Sequence, residues 1–102
     1  MRNRLDAEMD RLHNLLLEMG AMCESAIACS IKALLEGDRA NAQRAVELEI
    51  DINQHEKDIE ELCYKLLLRQ QPVARDLRKI SAALKMVTDM ERIGDQAADI
   101  AE

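Results

Sequence analysis

Apolar residues recur every three or four positions along nearly the whole chain, and only two short segments interrupt them. These segments are Gly37-Asp38 and Gln71-Pro72. Spacings of three and four residues place side chains on one face of an α-helix. Gly37 suits a left-handed C-terminal cap, Asp38 an N-cap and Pro72 a first helical position. The pattern predicts three helices, at about 4–36, 39–70 and 72–102.

Helices of this length determine the architecture. Each predicted helix is roughly 45–50 Å long at about 1.5 Å per residue, and short connections force consecutive helices to run antiparallel. We therefore expect an all-α, up-down-up bundle of three helices forming a single domain over 1–102. Tyr64 is the only aromatic residue, so the core must be aliphatic. No capping residue ends the third helix, which suggests a piece of a longer protein.

Charge and composition narrow the class of partner. The formal net charge of −6 argues against duplex nucleic acid. The N-terminus is polar and lacks a signal-peptide apolar region, and no apolar run approaches 18 residues, so we expect no membrane insertion. Three cysteines without CxxC spacing indicate free thiols in a reducing compartment. These features predict a cytoplasmic protein.

Acidic residues lie where the apolar stripes predict core positions. Glu91 continues the stripe of the third helix, and Glu49 lies on that of the second. Counting outward from the turn at 70–71 puts both at nearly the same height, with Asn53 and Asp95 one helical turn away. Clustered oxygen ligands suit a hard cation, or iron or manganese held by carboxylates. The alternative is that these acids are solvated or salt-bridged at a groove edge.

We interpret a third stripe acid, the two histidines and the two glycines within the helices mainly as structural residues. We expect Glu56 to pair with a Lys or Arg, and His13 and His55 to be isolated surface residues. Gly20, in the middle of a helix, indicates close approach of another backbone. Gly94 makes room beside the acids, either for a site or for plain helix packing.

One outer face of the third helix is basic, and the sequence lacks catalytic motifs. Arg75, Arg78 and Lys85 share one face of the third helix, which could dock an acidic partner or an anion or could simply be solvated. The sequence has no Ser or Cys nucleophile beside a His and no Gly-rich phosphate loop. It therefore predicts a protein that is not an enzyme.

Two strings in the last third of the chain resemble a known family signature. They are Gln70-Gln71-Pro72-Val73-Ala74-Arg75-Asp76-Leu77-Arg78 and Asp89-Met90-Glu91-Arg92-Ile93-Gly94-Asp95. Together they resemble the signature of PhoU, the family of phosphate-transport accessory and regulatory proteins of bacteria. Leu16-Leu17-Glu18-Met19-Gly20 and Glu49-Ile50-Asp51-Ile52-Asn53-Gln54-His55-Glu56 agree with it. The resemblance covers essentially the whole chain and corresponds to one PhoU repeat, the N-terminal half.

The resemblance implies a fold and a metal site. PhoU proteins have two three-helix repeats, each with paired Glu/Asp-x-x-x-Asp motifs that can bind metals, so Fe, Zn, Mn or Mg are the expected ions here. Glu91 and Asp95 fit one motif. Glu49 fits the start of the other, but Asn53 replaces its second acid with an amide and removes one charge.

The resemblance also implies a function. PhoU proteins restrain the phosphate transporter and indirectly repress transcription of phosphate-starvation genes, by contacting the transporter ATPase and a membrane sensor histidine kinase. Two alternatives stay open: a metal-binding or storage bundle, and a cytoplasmic regulatory module of a membrane phosphate or ion transporter. Because one repeat leaves Leu15, Met22 and Leu34 of the first helix under-covered, we also expect a two-fold homodimer.

Overall fold

The structure, a computed structural model, describes residues 4–69 and 72–101 and consists there of three long helices. They are α1 (Arg4–Glu36), α2 (Arg39–Arg69) and α3 (Ala74–Ala101). Each helix packs against the other two, and the bundle measures 52 × 22 × 17 Å. The predicted all-α antiparallel bundle is confirmed. The predicted helix ends at 70 and 102 lie outside the described residues.

The junction between α1 and α2 has the predicted caps. Gly37 has φ +65°, and its N–H donates to the Ala33 carbonyl at 3.0 Å. The Asp38 Oδ1 atom accepts hydrogen bonds from the backbone N–H groups of Ala40 (2.9 Å) and Asn41 (3.3 Å). The Asn41 amide donates to the other Asp38 oxygen at 2.7 Å. The bonds from Asn41 lower the Asp38 pKa most, because they favour the ionised carboxylate.

The start of α3 differs from the prediction by two residues. We predicted that Pro72 opens the helix, but α3 begins at Ala74. The Val73 carbonyl accepts the first intrahelical bond, from the Leu77 N–H at 2.9 Å, which makes Val73 the N-cap. Pro72 therefore precedes the cap, where its fixed φ directs the chain into the helix.

The core is aliphatic, as predicted. The largest fully buried side chains are Met19, Ile52, Ile59, Cys63, Leu66, Ile80 and Val87. Tyr64 is exposed. All three cysteines are free, and burial raises the pKa of the Cys63 thiol to about 11, so it is uncharged and unreactive at neutral pH.

Helix α1 is more apolar than the sequence analysis indicated. By length and composition alone it could cross a membrane, although we had found no apolar run near 18 residues. The core helix of a soluble protein passes the same test, and α1 packs along both α2 and α3. The apolarity of α1 therefore fits a helix that contributes to a core and also exposes apolar side chains.

Two glycines within helices have different surroundings. A Cβ added at Gly20 would meet nothing within 4 Å, so the expected close approach of another backbone is wrong. A Cβ added at Gly94 would lie 3.0 Å from Ile52 Cδ1 and 3.3 Å from its Cγ2. Gly94 is therefore a packing glycine that lets α2 and α3 approach closely.

Replacing Gly37 and Gly20 by Ala should have opposite effects. Gly37→Ala should lower the free energy of unfolding by about 1–2 kcal/mol, because a Cβ is strained at positive φ. Gly20→Ala should raise it by up to about 1 kcal/mol, because Ala favours a helix and here meets no neighbour. Urea unfolding followed by circular dichroism measures both, and a stable Gly37→Ala variant would contradict the cap.

Candidate functional site

Five half-buried polar side chains lie where α2 packs on α3. Glu49, Asn53 and Glu56 come from α2, and Glu91 and Asp95 come from α3. The apolar stripes of both helices hold them there, since Ile52, Val87, Gly94 and Ala98 on the same faces are buried. The polar groups therefore lie at the edge of the core rather than on a fully solvated surface.

The contact between Ile52 and Gly94 sets the relative level of the two helices. Ile52 packs directly over Gly94. Because α2 and α3 run antiparallel, Glu91, one turn before Gly94, then lies closer to the level of Glu56 than to that of Glu49. The electrostatic effects agree with this relative level, since the charge of Glu56 raises the pKa of Glu91 more strongly than that of Glu49 does.

Glu91 is the most perturbed carboxyl group of the site. Its pKa is raised from 4.5 to about 7. The largest cause is a hydrogen bond with Asp95, which requires one of the two carboxyls to carry a proton. The next largest cause of the raised pKa is partial burial, and the negative charges of Asp95, Glu56 and Glu49 come after it. At neutral pH, Glu91 is therefore close to half-protonated.

Glu56 belongs to this cluster, contrary to our expectation of a simple ion pair. Its pKa is raised by burial first, then by the charges of Glu60 and Asp95, while Lys57 opposes the shift. One feature of the sequence could have indicated that Glu56 belongs to the cluster: it lies on the same α2 stripe as Glu49, seven residues later. The sequence could not show which charges surround it.

The arrangement does not form a closed metal site as it stands. Among the described residues, no three His, Cys, Asp or Glu side chains converge on one point that could hold an ion. The Glu91 and Asp95 carboxyls instead lie close enough for a hydrogen bond between them to be the largest cause of the raised Glu91 pKa. The predicted ligands Glu49, Asn53, Glu91 and Asp95 thus share one region, but a cation would have to replace the shared proton and draw the oxygens together.

The two histidines and the basic face lie outside the acid cluster. His55 is not isolated, because its Nε2 atom lies 2.9 Å from Glu18 Oε2 on α1. His13 is exposed, as predicted. Arg75, Arg78 and Lys85 are exposed on the first half of α3, nearer the α2–α3 connection than the acids are.

Comparisons with known proteins agree on one family. The PhoU domain model matches residues 16–102. A phosphate-specific transport system accessory protein PhoU homolog of Pseudomonas putida is 42% identical over 96% of this chain and 38% of its own length. The Clostridium acetobutylicum homolog is 39% identical over 99% of this chain and 47% of its own length. This chain thus spans under half the length of these relatives.

A solved structure matches the fold as well. The crystal structure of PhoU from Pseudomonas aeruginosa superposes with a TM-score of 0.92 and 40% identity, covering 96% of this chain and 47% of that one. The fold is that of a single PhoU-type three-helix repeat. The chain belongs to the PhoU family.

Replacing Glu91 by Gln should stabilise the bundle above pH 7 and change little below pH 4.5. Below 4.5 the carboxyl is protonated in both folded and unfolded chains. As pH rises from 4.5 to about 7, the unfolded chain ionises first, so the free energy of unfolding of the wild type falls. Above about pH 7 the free energy of unfolding of the wild type falls no further at this site. The variant does not undergo this fall, because Gln cannot ionise.

The measurement is the difference in urea stability between variant and wild type across that pH range, in the presence of a chelator. Glu61→Gln removes an exposed carboxylate from the solvent side of α2 and serves as the control, with a nearly constant difference. A constant difference for Glu91→Gln would show that the raised pKa of Glu91 is not a property of the folded protein.

Proposed function

We propose that this protein is a non-catalytic, cytoplasmic negative regulator of phosphate uptake and of phosphate-starvation signalling. The observation that carries this proposal is the match of the PhoU domain model to residues 16–102. The names of the relatives, phosphate-specific transport system accessory proteins, support the link to phosphate transport. In this role, the protein binds the transporter ATPase and a membrane sensor histidine kinase and restrains both.

The basic half of α3 is the surface that we assign to partner binding. Arg75, Arg78 and Lys85 are exposed on it, and Asp76 is the only acid among residues 72–88. On a chain with net charge −6, such a local positive field attracts an acidic surface of a partner. The charges act mainly on the rate and specificity of association.

Deleting the gene that encodes this chain should switch on phosphate-starvation genes while external phosphate is plentiful. A transcriptional reporter measures the response. The wild-type gene should restore repression, whereas a gene carrying Arg75→Glu, Arg78→Glu and Lys85→Glu should not. A matched triple variant away from α3, with the exposed residues Lys32, Arg39 and Arg44 changed to Glu, should restore it.

Normal repression in the deletion strain, with no second PhoU-like gene present, would contradict the regulatory role. Full repression by the α3 variant would leave that role intact and remove only the assigned binding surface. The two parts of the proposal are thus tested separately.

Metal binding at the acid cluster is the second candidate function. The observation that favours it is that acids from two helices lie close enough to raise the pKa of Glu91 to about 7. A cation would offset the repulsion of these charges and replace the proton between Glu91 and Asp95. Glu49, Glu56, Glu91, Asp95 and the Asn53 carbonyl are the available oxygen donors, and they suit Fe, Mn, Mg or Zn.

A binding cation should raise the melting temperature of chelator-treated protein. At about 100 times its dissociation constant, it should stabilise the folded state by about 2.7 kcal/mol. Glu91→Gln should remove most of that shift, and Glu56→Gln should reduce it more than Glu49→Gln does. Glu61→Gln should keep it. No shift with Fe²⁺, Mn²⁺, Mg²⁺ or Zn²⁺, or equal loss in the Glu61 variant, would reject the site.

A further inference from the structure

Exposed large apolar side chains concentrate in two regions of the bundle. The first is the α1–α3 face, which has a groove of about 350 Å³ between residues 9–16 and 79–86 and protruding side chains such as Leu34. Leu34 is exposed as the sequence predicted, whereas Leu15 and Met22 pack against the core. The second region is the end of the bundle at which α2 passes into α3.

This second region, residues 64–69 and 73–79, is called the connection end. Leu68, in the last turn of α2, is 82% exposed, and Val73, the N-cap residue of α3, is 64% exposed. The other exposed large apolar side chains of the connection end are Tyr64 and Leu77. Side chains as exposed as Leu68 and Val73 protrude from the surface instead of lining a cleft. The connection end therefore presents separate apolar projections.

Basic side chains surround these projections. The connection end carries five bases and a single acid, Asp76. All five bases are exposed, and none of them forms an ion pair with another residue of the described ranges 4–69 and 72–101. The five bases are Lys65, Arg69, Arg75, Arg78 and Lys79. Their charges are therefore available to a partner outside the bundle.

The two ends of the bundle differ in charge. Because α1 and α3 run in the same direction, the start of α1 also lies at the connection end, and residues 4–11 add two bases and three acids to it. This end as a whole thus carries seven bases and four acids. The opposite end, residues 32–44 and 95–101, carries three bases and four acids. A chain of net charge −6 therefore has one positive end, which orients it toward a negatively charged surface.

We propose that the connection end binds the headgroup layer of an anionic phospholipid bilayer, with its bases at the phosphates and Leu68 and Val73 inserted between headgroups. Lys and Arg suit this role, because their apolar stems lie along apolar groups while their charges stay in water. Tyr64 is also of a type that favours the boundary between water and lipid. The chain then lies on the membrane surface and does not span it. The proposal does not depend on a role in phosphate regulation.

A membrane fits the connection end better than a protein partner does. The bundle is 22 × 17 Å across, so its end offers less than the roughly 800 Å² per partner of a standard protein interface. Apolar side chains that project singly need matching cavities on a protein, whereas fluid headgroups part around each of them. A second copy of this chain is disfavoured at this end, because two positive ends repel each other.

Co-sedimentation with phospholipid vesicles tests the binding. At low ionic strength, the wild-type chain should bind vesicles of phosphatidylcholine and phosphatidylglycerol but not of phosphatidylcholine alone, and added salt should weaken the binding. Changing Lys65 and Arg69 to Glu should lower the affinity by about tenfold or more, because each base near an anionic surface contributes about fivefold. The control changes Lys32 and Arg39 to Glu at the opposite end. It alters the net charge equally and should lower the affinity much less.

Leucine variants test the insertion of apolar side chains. Leu68→Gln should weaken vesicle binding severalfold, because less apolar surface leaves water. Leu35→Gln should not weaken it. Leu35 is 77% exposed and, like Leu68, is the next-to-last residue of its helix, but it lies at the opposite end of the bundle. Circular dichroism verifies that the variants are folded.

Fluorescence measures insertion directly. The chain has no tryptophan, so Leu68→Trp adds a single reporter. Its emission should shift to shorter wavelength when anionic vesicles are added, because the indole ring leaves water. The emission of the matched Leu35→Trp variant should not shift.

A wild-type chain that does not bind the anionic vesicles at low salt would overturn the proposal. If the Lys65 and Arg69 variant of that chain also failed to restore repression in the reporter strain, the connection end would instead be assigned to an acidic protein surface. Equal loss of vesicle binding in the two charge variants, or equal emission shifts in the two Trp variants, would overturn the assignment to this end. Binding that needs the bases but leaves the Leu68→Trp emission unchanged would overturn the insertion.

Discussion

The close contact of Ile52 on Gly94 is the packing interaction that the site depends on. A Cβ at position 94 would lie 3.0 Å from Cδ1 of the fully buried Ile52 side chain, so that side chain would have to shift by a few tenths of an ångström. Because glycine leaves this space for Ile52, α2 and α3 pack closely at one level. That level determines which acids of α2 lie beside Glu91 and Asp95.

The acid cluster is the part of the molecule where packing and charge conflict. The aliphatic core stabilises the bundle, yet its α2–α3 edge holds four carboxyl groups close enough to interact. The raised pKa values of Glu91 and Glu56 measure the cost of that placement. Protonation of Glu91, which its raised pKa favours, lowers that cost, and a bound cation is another way to lower it.

Two of the three long faces of the bundle have different chemistry. The α2–α3 face presents the acids, and the α1–α3 face presents the groove and the protruding apolar side chains. Helix α3 contributes to both, and its charge changes sign along its length. One helix therefore contributes acids to the cluster with its second half and basic residues to the proposed partner surface with its first half.

The sequence by itself determined the helices, their antiparallel order, the cap at Gly37 and Asp38 and the aliphatic core. These features follow from local spacing, cap chemistry and composition, which act between residues near in the chain. Two short strings in the sequence also identified the family, and the acids on the apolar stripes indicated the region of the site.

Only the tertiary structure decided that Glu56 joins the cluster, that His55 meets Glu18 and that Gly94, not Gly20, is the close-packed glycine. Those outcomes depend on how far one helix slides along another, which is set by side-chain packing between residues some 40 positions apart, as with Ile52 and Gly94.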